Sequence, residues 1–299
     1  MKKKAFIFPG QGAQKPFMGK TFYDQFLSSK EVFQRAEDLL SMSITSKIFS
    51  SDEEALKRTD FCQIALFVTS VAILHAVEME LNIEPFVTAG LSLGEYGALY
   101  AAKKVSFEDI LPLIKERGSL MHEATMKERQ GMCVVFGMGE KEIPSHYQIA
   151  NCNSPGQIVI GGTLEEMERS KVELKNLGAK RVLPLNVAGA FHTTYMEGAK
   201  QKLAHFAASC KIVSSDILFV MNMSGEVVTE PDEIRDNLVG VVSKRTRWLD
   251  CMSQMEKMDV DYIEMGPSQL CPIAKKMNIQ NSAVSIEEVK DLEGLYEKI

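Results

Sequence analysis

Gly90-Leu91-Ser92-Leu93-Gly94 places a serine between two glycines in the Gly-x-Ser-x-Gly pattern of a nucleophile elbow. The chemistry open to such a serine is acyl transfer through an ester, if its hydroxyl stands at a sharp strand-to-helix turn above the helix N-terminus. Three fixed residues in five recur by chance, so the flanks decide. Phe86 to Ala89 reads as a strand, and Gly94 onward reads as a helix whose small residues Gly97, Ala98, Ala101 and Ala102 can lie close against a sheet. A turn whose serine merely caps the helix is the plainer alternative, and both flanks favour the nucleophile.

A serine hydroxyl needs a base within hydrogen-bond reach. His75 and His205 sit in helical, largely apolar patterns and His146 in a polar stub, where packed or solvated rings are expected. His122, next to Met121 on a helix, is a weaker candidate. His192 stands apart in the small-residue loop Ala188-Gly189-Ala190-Phe191-His192-Thr193, and such loops present catalytic side chains. Few acids between Ser92 and His192 follow a strand as the Ser, Asp/Glu, His order of a hydrolase triad requires, so a Ser-His dyad oriented by a carbonyl fits better.

The loop Pro9-Gly10-Gln11-Gly12-Ala13-Gln14 follows the first strand, and its glycines allow backbone N–H groups to face a developing oxyanion. The N–H groups of Gln11 and Leu93 form the natural pair. A phosphate loop is disfavoured, because Lys15 is followed by Pro16 where a Walker loop has Ser or Thr.

The elements that must hold these loops alternate between strand and helix. Lys4 to Phe8 reads as a strand, Tyr23 to Leu40 and Asp60 to Leu81 as helices. Between about Lys127 and Asn186 the rhythm changes to strands at Met132 to Phe136, Gln148 to Asn151 and Ile158 to Gly161, a helix at Leu164 to Leu177, and a strand at Lys180 to Leu185. This is the order of a small α+β insert with an antiparallel sheet. Its first helix is expected to be a single turn or absent, since Pro144 interrupts the stretch Glu140 to His146. Helices at Met196 to Ser209, Asp232 to Val242 and Trp248 to Met258 and strands at Ile217 to Met221 and Asp261 to Glu264 then complete a discontinuous α/β domain, residues 1–126 with 191–299, around an insert at 127–190.

Composition narrows the function classes. The formal net charge is −6 with both signs interspersed, which suggests neither a nucleic-acid partner nor a membrane surface. Lys244, Arg245 and Arg247, and separately Lys275 and Lys276, read as solvated faces when each cluster is taken alone. No stretch reaches the roughly 18 unbroken apolar residues of a bilayer span. Six cysteines without a Cys-x-x-Cys pair, mostly in apolar runs, look like reduced core residues, and a cytoplasmic location is expected.

Taken together, these motifs resemble the malonyl-CoA:acyl carrier protein transacylase family, over about Phe6 to Met277. The segments that carry the resemblance are Phe8-Pro9-Gly10-Gln11-Gly12, the elbow Gly90 to Ala98, Glu116-Arg117-Gly118-Ser119-Leu120-Met121, Asn151 to Gln157, and Glu264-Met265-Gly266-Pro267. The resemblance implies an α/β-hydrolase-like large domain with a ferredoxin-like insert, Ser92 as nucleophile, His192 as base, and oxyanion donors from Gln11 and Leu93. It implies that Arg117 grips the free carboxylate of a malonyl group, a role that a helical arginine alone would not suggest. Asn153 and Gln63 match further family positions near the site, and Phe191 is expected to fill the space that a methyl branch on the substrate would need. Malonyl-CoA and acyl carrier protein are the implied partners of a monomer, with no metal or redox cofactor and the coenzyme A thioester as substrate. Three positions depart from the family pattern: Leu91 stands where histidine is frequent, Val241 where a glutamine often orients the histidine, and the insert's first helix is short. A patatin-like hydrolase, the runner-up, needs a catalytic Asp-Gly pair that this sequence lacks; a silent carrier-binding module would not be expected to keep both Ser92 and His192.

Overall fold

The computed structural model describes residues 2–296; Met1 and residues 297–299, at the ends of the expected large domain, lie outside the described residues. The strands are Lys4–Phe8 (β1), Val87–Gly90 (β2), Gln130–Phe136 (β3), Gln148–Ser154 (β4), Gln157–Thr163 (β5), Arg181–Pro184 (β6), Leu218–Val220 (β7), Asp261–Met265 (β8) and Ala283–Ile286 (β9). One sheet is parallel throughout, in the order β7-β2-β1-β8-β9; the other is antiparallel, in the order β4-β5-β3-β6.

Parallel strands are covered on both faces, which is why β1 and β2 are short apolar runs rather than alternating ones. Their register pairs Phe8 with Gly90. The two loops of interest therefore leave the sheet side by side at its carboxyl edge, where ligand crevices form in α/β folds. Helix Thr59–Leu81 is apolar all round, as a core helix must be, and it packs between helices Leu27–Leu40 and Phe107–Thr125. By length and composition it could cross a bilayer, yet nearly every residue from Thr59 to Val77 is buried inside the protein.

Alternation splits the insert's sheet between two surroundings. Cys133, Val135, Ile158 and Ile160 pack with Met167 and Leu174 of helix Leu164–Asn176, while Met132, Val134 and Val159 join the main core. A capping box starts that helix: Thr163 Oγ1 accepts from Glu166 N–H at 3.1 Å and Glu166 Oε2 accepts from Thr163 N–H at 2.8 Å. Where a first insert helix could stand there is one 3₁₀ turn, Glu140–Glu142, as the sequence predicts.

Other elements depart from the sequence reading. The helix expected from Tyr23 to Leu40 is two helices, Lys20–Gln25 and Leu27–Leu40, because Phe26 turns extended. The second then seats Ser29, whose hydroxyl donates to the Ala72 carbonyl at 2.7 Å. Strand β9 and helices Thr45–Ile48, Glu53–Lys57, Leu270–Lys276 and Val289–Tyr296 were not foreseen. The large sheet thus has a fifth strand, paired with β8.

Candidate active site

Ser92 sits at φ 54°, a left-handed conformation that a non-glycine residue rarely adopts. The turn closes only because its flanking residues have no side chains. A Cβ on Gly90 would lie 1.9 Å from the Gly94 carbonyl carbon, and one on Gly94 would lie 2.1 Å from the Phe8 carbonyl oxygen. Leu91 N–H donates to Phe8 O at 3.0 Å, tying the elbow to the end of β1, and helix Gly94–Ala101 follows at once. Leu91 itself packs among Ala5, Ile7 and Val87, so at this position an apolar residue serves the packing.

His192 is also left-handed, at φ 61°, and 5% exposed. Its Nδ1 lies 2.6 Å from the Val241 carbonyl oxygen and its Nε2 2.7 Å from Ser92 Oγ. A carbonyl only accepts, so Nδ1 carries the proton and Nε2 is left to accept from the serine hydroxyl. The orienting group is thus main chain, and valine at 241 costs the arrangement nothing. The loop is tied from the insert as well, since Gln130 Oε1 accepts from Ala190 N–H at 3.1 Å. Burial first, and the nearby Arg117 charge second, push His192 down to about 4, which keeps the ring neutral at physiological pH.

Arg117, on helix Phe107–Thr125, is 1% exposed. Its Nη1 donates to Gln63 Oε1 at 2.5 Å, its Nη2 donates to Ser92 Oγ at 3.0 Å, and its guanidinium faces the Tyr96 ring at 5.4 Å. Among the described residues no carboxylate lies within ion-pair distance of it, and its Nε has no hydrogen-bond partner. A buried cation without a counter-ion is costly, and one that borders a cavity makes a site for an anion.

A cavity of about 620 Å³ joins these groups, with Gln11, Ser92, Arg117, Asn153, Phe191 and His192 in its wall. Met132, Val134 and Val159 of the antiparallel sheet form another wall, so the site lies between the two sheets. Asn153 Oδ1 is buried without a partner. The Gln11 side chain turns away to Thr59 Oγ1 at 3.1 Å. Gly10 N–H, Gly12 N–H and Ser92 N–H are taken by Gln269 Oε1, Gln14 Oε1 and Asn222 Oδ1, whereas Gln11 N–H and Leu93 N–H donate to no group among the described residues. Both expected donors are thus without a partner among the described residues.

Six of the eight expected site residues line the cavity, Gln63 reaches it through Arg117, and Leu93 follows Ser92 at the head of the next helix. His122 stands apart: it is half-buried beside Asp60 and lines no part of the cavity. Lys244, Arg245 and Arg247 border a separate outer groove that also reaches His192, with Arg245 paired to Glu140 and Arg247 to Asp250. Sequence reasoning missed Asn222, Gln269, Glu95 and Glu264, which hold the loops in place. The available signal was position, since Asn222 and Gln269 are polar residues just beyond the carboxyl ends of β7 and β8.

Known proteins resemble this chain from end to end. The model of the acyl transferase domain family matches residues 5–236. The malonyl CoA-acyl carrier protein transacylase of Bacillus subtilis (strain 168) is 35% identical over 305 residues, covering 98% of this chain and 96% of the relative. The crystal structure of the malonyl CoA-acyl carrier protein transacylase from Clostridium perfringens superposes with a TM-score of 0.93 at 35% identity, over 99% of this chain and 96% of that one. A malonyl-transacylase solved in complex with a type II PKS acyl-carrier protein gives 0.93 at 31% identity, over 99% and 100%. With a family match across most of its length and relatives this similar from end to end, the chain belongs to the acyl transferase family and, within it, to the malonyl CoA-acyl carrier protein transacylases.

Proposed function

We propose that this enzyme moves a malonyl group from malonyl-CoA to the phosphopantetheine thiol of an acyl carrier protein through an ester on Ser92, supplying fatty acid synthesis. The observation that carries the reading is the continuous line from Val241 O through the His192 ring to Ser92 Oγ and on to the unpaired Arg117 guanidinium. A base and a receptor for a carboxylate thus both lie within hydrogen-bond distance of the serine.

In the first half-reaction Ser92 Oγ attacks the thioester carbonyl carbon and passes its proton to His192 Nε2. The oxyanion is received by the free Gln11 and Leu93 N–H groups. The intermediate collapses with loss of the coenzyme A thiolate, which takes the proton from His192. In the second half-reaction the carrier's thiol gives its proton to His192 as its sulfur attacks the ester, and Ser92 leaves with that proton. Arg117, steadied by Gln63, pairs with the distal carboxylate through two parallel hydrogen bonds. Asn153, with its unpartnered Oδ1, helps order the site, and Phe191 closes the space beside the malonyl α-carbon. Each step exchanges protons and an acyl group among these residues and two thiols, so the reading calls for no metal or redox cofactor.

We read residues 1–126 and 191–299 as an α/β-hydrolase-like catalytic unit and 127–190 as a ferredoxin-like insert. The insert's strand order, 2-3-1-4 counted from its own first strand, supports this. Six buried, unpaired cysteines favour a reducing compartment, the cytoplasm. Isolating the malonylated protein free of coenzyme A and chasing it with carrier protein tests the two-step route. Transfer of the label to the carrier thiol is expected; a label that stays on the enzyme, or that moves only when coenzyme A is present, would refute it.

A further inference from the structure

Two side-chain amides, 47 residues apart in sequence, treat the two oxyanion loops alike. On the elbow, Asn222 Oδ1 accepts from Ser92 N–H at 2.6 Å while Nδ2 donates to Gly90 O at 2.6 Å. On the first loop, Gln269 Oε1 accepts from Gly10 N–H at 2.8 Å while Nε2 donates to Gln11 O at 3.3 Å. Each amide faces an N–H on one side and a C=O on the other, so its orientation is fixed by the partners. A fully buried glutamate secures each one in turn. Asn222 N–H donates to Glu95 Oε1 at 2.6 Å. Gln269 N–H donates to Glu264 Oε1 at 2.9 Å, and Glu264 also accepts from Leu270 N–H, Cys271 N–H and Ser285 Oγ.

We propose that Asn222 and Gln269 are positioning residues that clamp the two halves of the oxyanion hole in register, with Glu95 and Glu264 as their anchors. By taking Ser92 N–H and Gly10 N–H, the clamps leave Leu93 N–H and Gln11 N–H as the donors open to the substrate. They also hold Ser92 in its left-handed turn, a conformation that persists only where the surroundings impose it. Burial pushes the Glu95 carboxyl up to about 8 against the pull of Asn222 N–H and the Arg117 charge, and its Oε2 has no hydrogen-bond partner. The proposal rests on the reading of Gln11 and Leu93 as oxyanion donors.

The test is acylation at saturating malonyl-CoA, alongside phosphonylation of Ser92 by a small fluorophosphonate that needs no coenzyme A site. Asn222→Ala and Gln269→Ala are each expected to slow both reactions by about 10- to 100-fold, somewhat less than deletion of a donor itself, with KM for malonyl-CoA changed less than about threefold. Glu95→Ala should cost about tenfold, one hydrogen bond's worth, and Glu95→Gln should restore most of it, because the amide oxygen keeps the acceptor for Asn222 N–H. Asn222→Asp, which keeps the acceptor for Ser92 N–H and the size of the side chain, should fall between Asn222→Ala and the unmodified protein; it serves also if the alanine variant fails to fold. Unchanged rates in folded Asn222→Ala and Gln269→Ala proteins, a loss confined to KM, or a Glu95→Gln variant as slow as Glu95→Ala would overturn the proposal. An unmodified protein that the fluorophosphonate does not label would instead refute Ser92 as the nucleophile.

Discussion

In the proposed reaction Arg117 is the residue that makes the acyl group's identity matter. Its charge is buried with no carboxylate within ion-pair distance among the described residues, so the proposed site is completed by a carboxylate that the substrate supplies. An acetyl group would leave the guanidinium unpaired, and charge-assisted hydrogen bonds are worth about 1.5 to 3 kcal/mol each, so discrimination of about a hundredfold or more is expected. Arg117→Ala should lose malonyl transfer by that order while acetyl transfer holds or rises, and Arg117→Lys should recover only part of the malonyl rate, since an ammonium lacks the planar fork. Steady-state kinetics with both esters check this; equal slowing of both would mean that Arg117 supports the fold. The same residue contributes to a pH dependence. His192 acts as a base only when neutral, so activity is present above its folded pKa and lost as pH falls through it. With that value pushed down to about 4, kcat/KM for malonyl-CoA should stay level from neutrality into mild acid and fall near pH 4. Burial is the larger cause and Arg117 the second, so Arg117→Ala should move the acid limb upward, toward the ordinary histidine value of about 6.5. A limb that stays in place would contradict the electrostatic coupling.

The elbow shows what an element adds to its residues. Gly90 and Gly94 let a strand turn into a helix within a few residues, and that turn lifts Ser92 toward His192. Gly94→Ala should cost about 1 to 3 kcal/mol or more of stability from overpacking against Phe8 and slow acylation with it, as thermal unfolding and acylation rates would reveal. A variant with unchanged rate and melting point would mean that the turn has room that the structure denies it. This part of the site was legible because it is local: five residues and their apolar flanks specify strand, turn and nucleophile. His192 was legible by its small-residue loop and by the absence of a better candidate. The identity of its orienting group was not, because a carbonyl belongs to every residue and no side chain announces it; Val241 is selected by the path of the chain. Asn222 and Gln269 were hidden for a related reason. The loop groups they clamp are 130 residues or more away, and no period or motif links such positions. Strand β9 and the break at Phe26 escaped as well, since both depend on packing against distant elements rather than on local pattern.

At the scale of the whole molecule, the catalytic groups stand between two sheets that the chain builds by interrupting one with the other. The large parallel sheet supplies the elbow and the first loop; the insert supplies Asn153 and a wall of β3 and β5; His192 follows directly after the insert. The core on either side holds all six cysteines buried and unpaired, and burial raises the thiols of Cys62, Cys152, Cys210, Cys251 and Cys271. A thiol reagent should therefore react with none of them quickly in the native protein and with all six after unfolding; rapid native labelling of any one would mean that the core is open there. The central claim is that Ser92 carries the acyl group and His192 activates it. It is tested most directly by mass spectrometry of the Ser92 peptide after brief exposure to malonyl-CoA, in the unmodified protein, Ser92→Ala and His192→Ala. A malonyl adduct on Ser92 in the first, none in the second, and formation slowed by at least about 100-fold in the third is the predicted result. Undiminished covalent malonylation of Ser92→Ala, or a loss under about tenfold in His192→Ala, would contradict it.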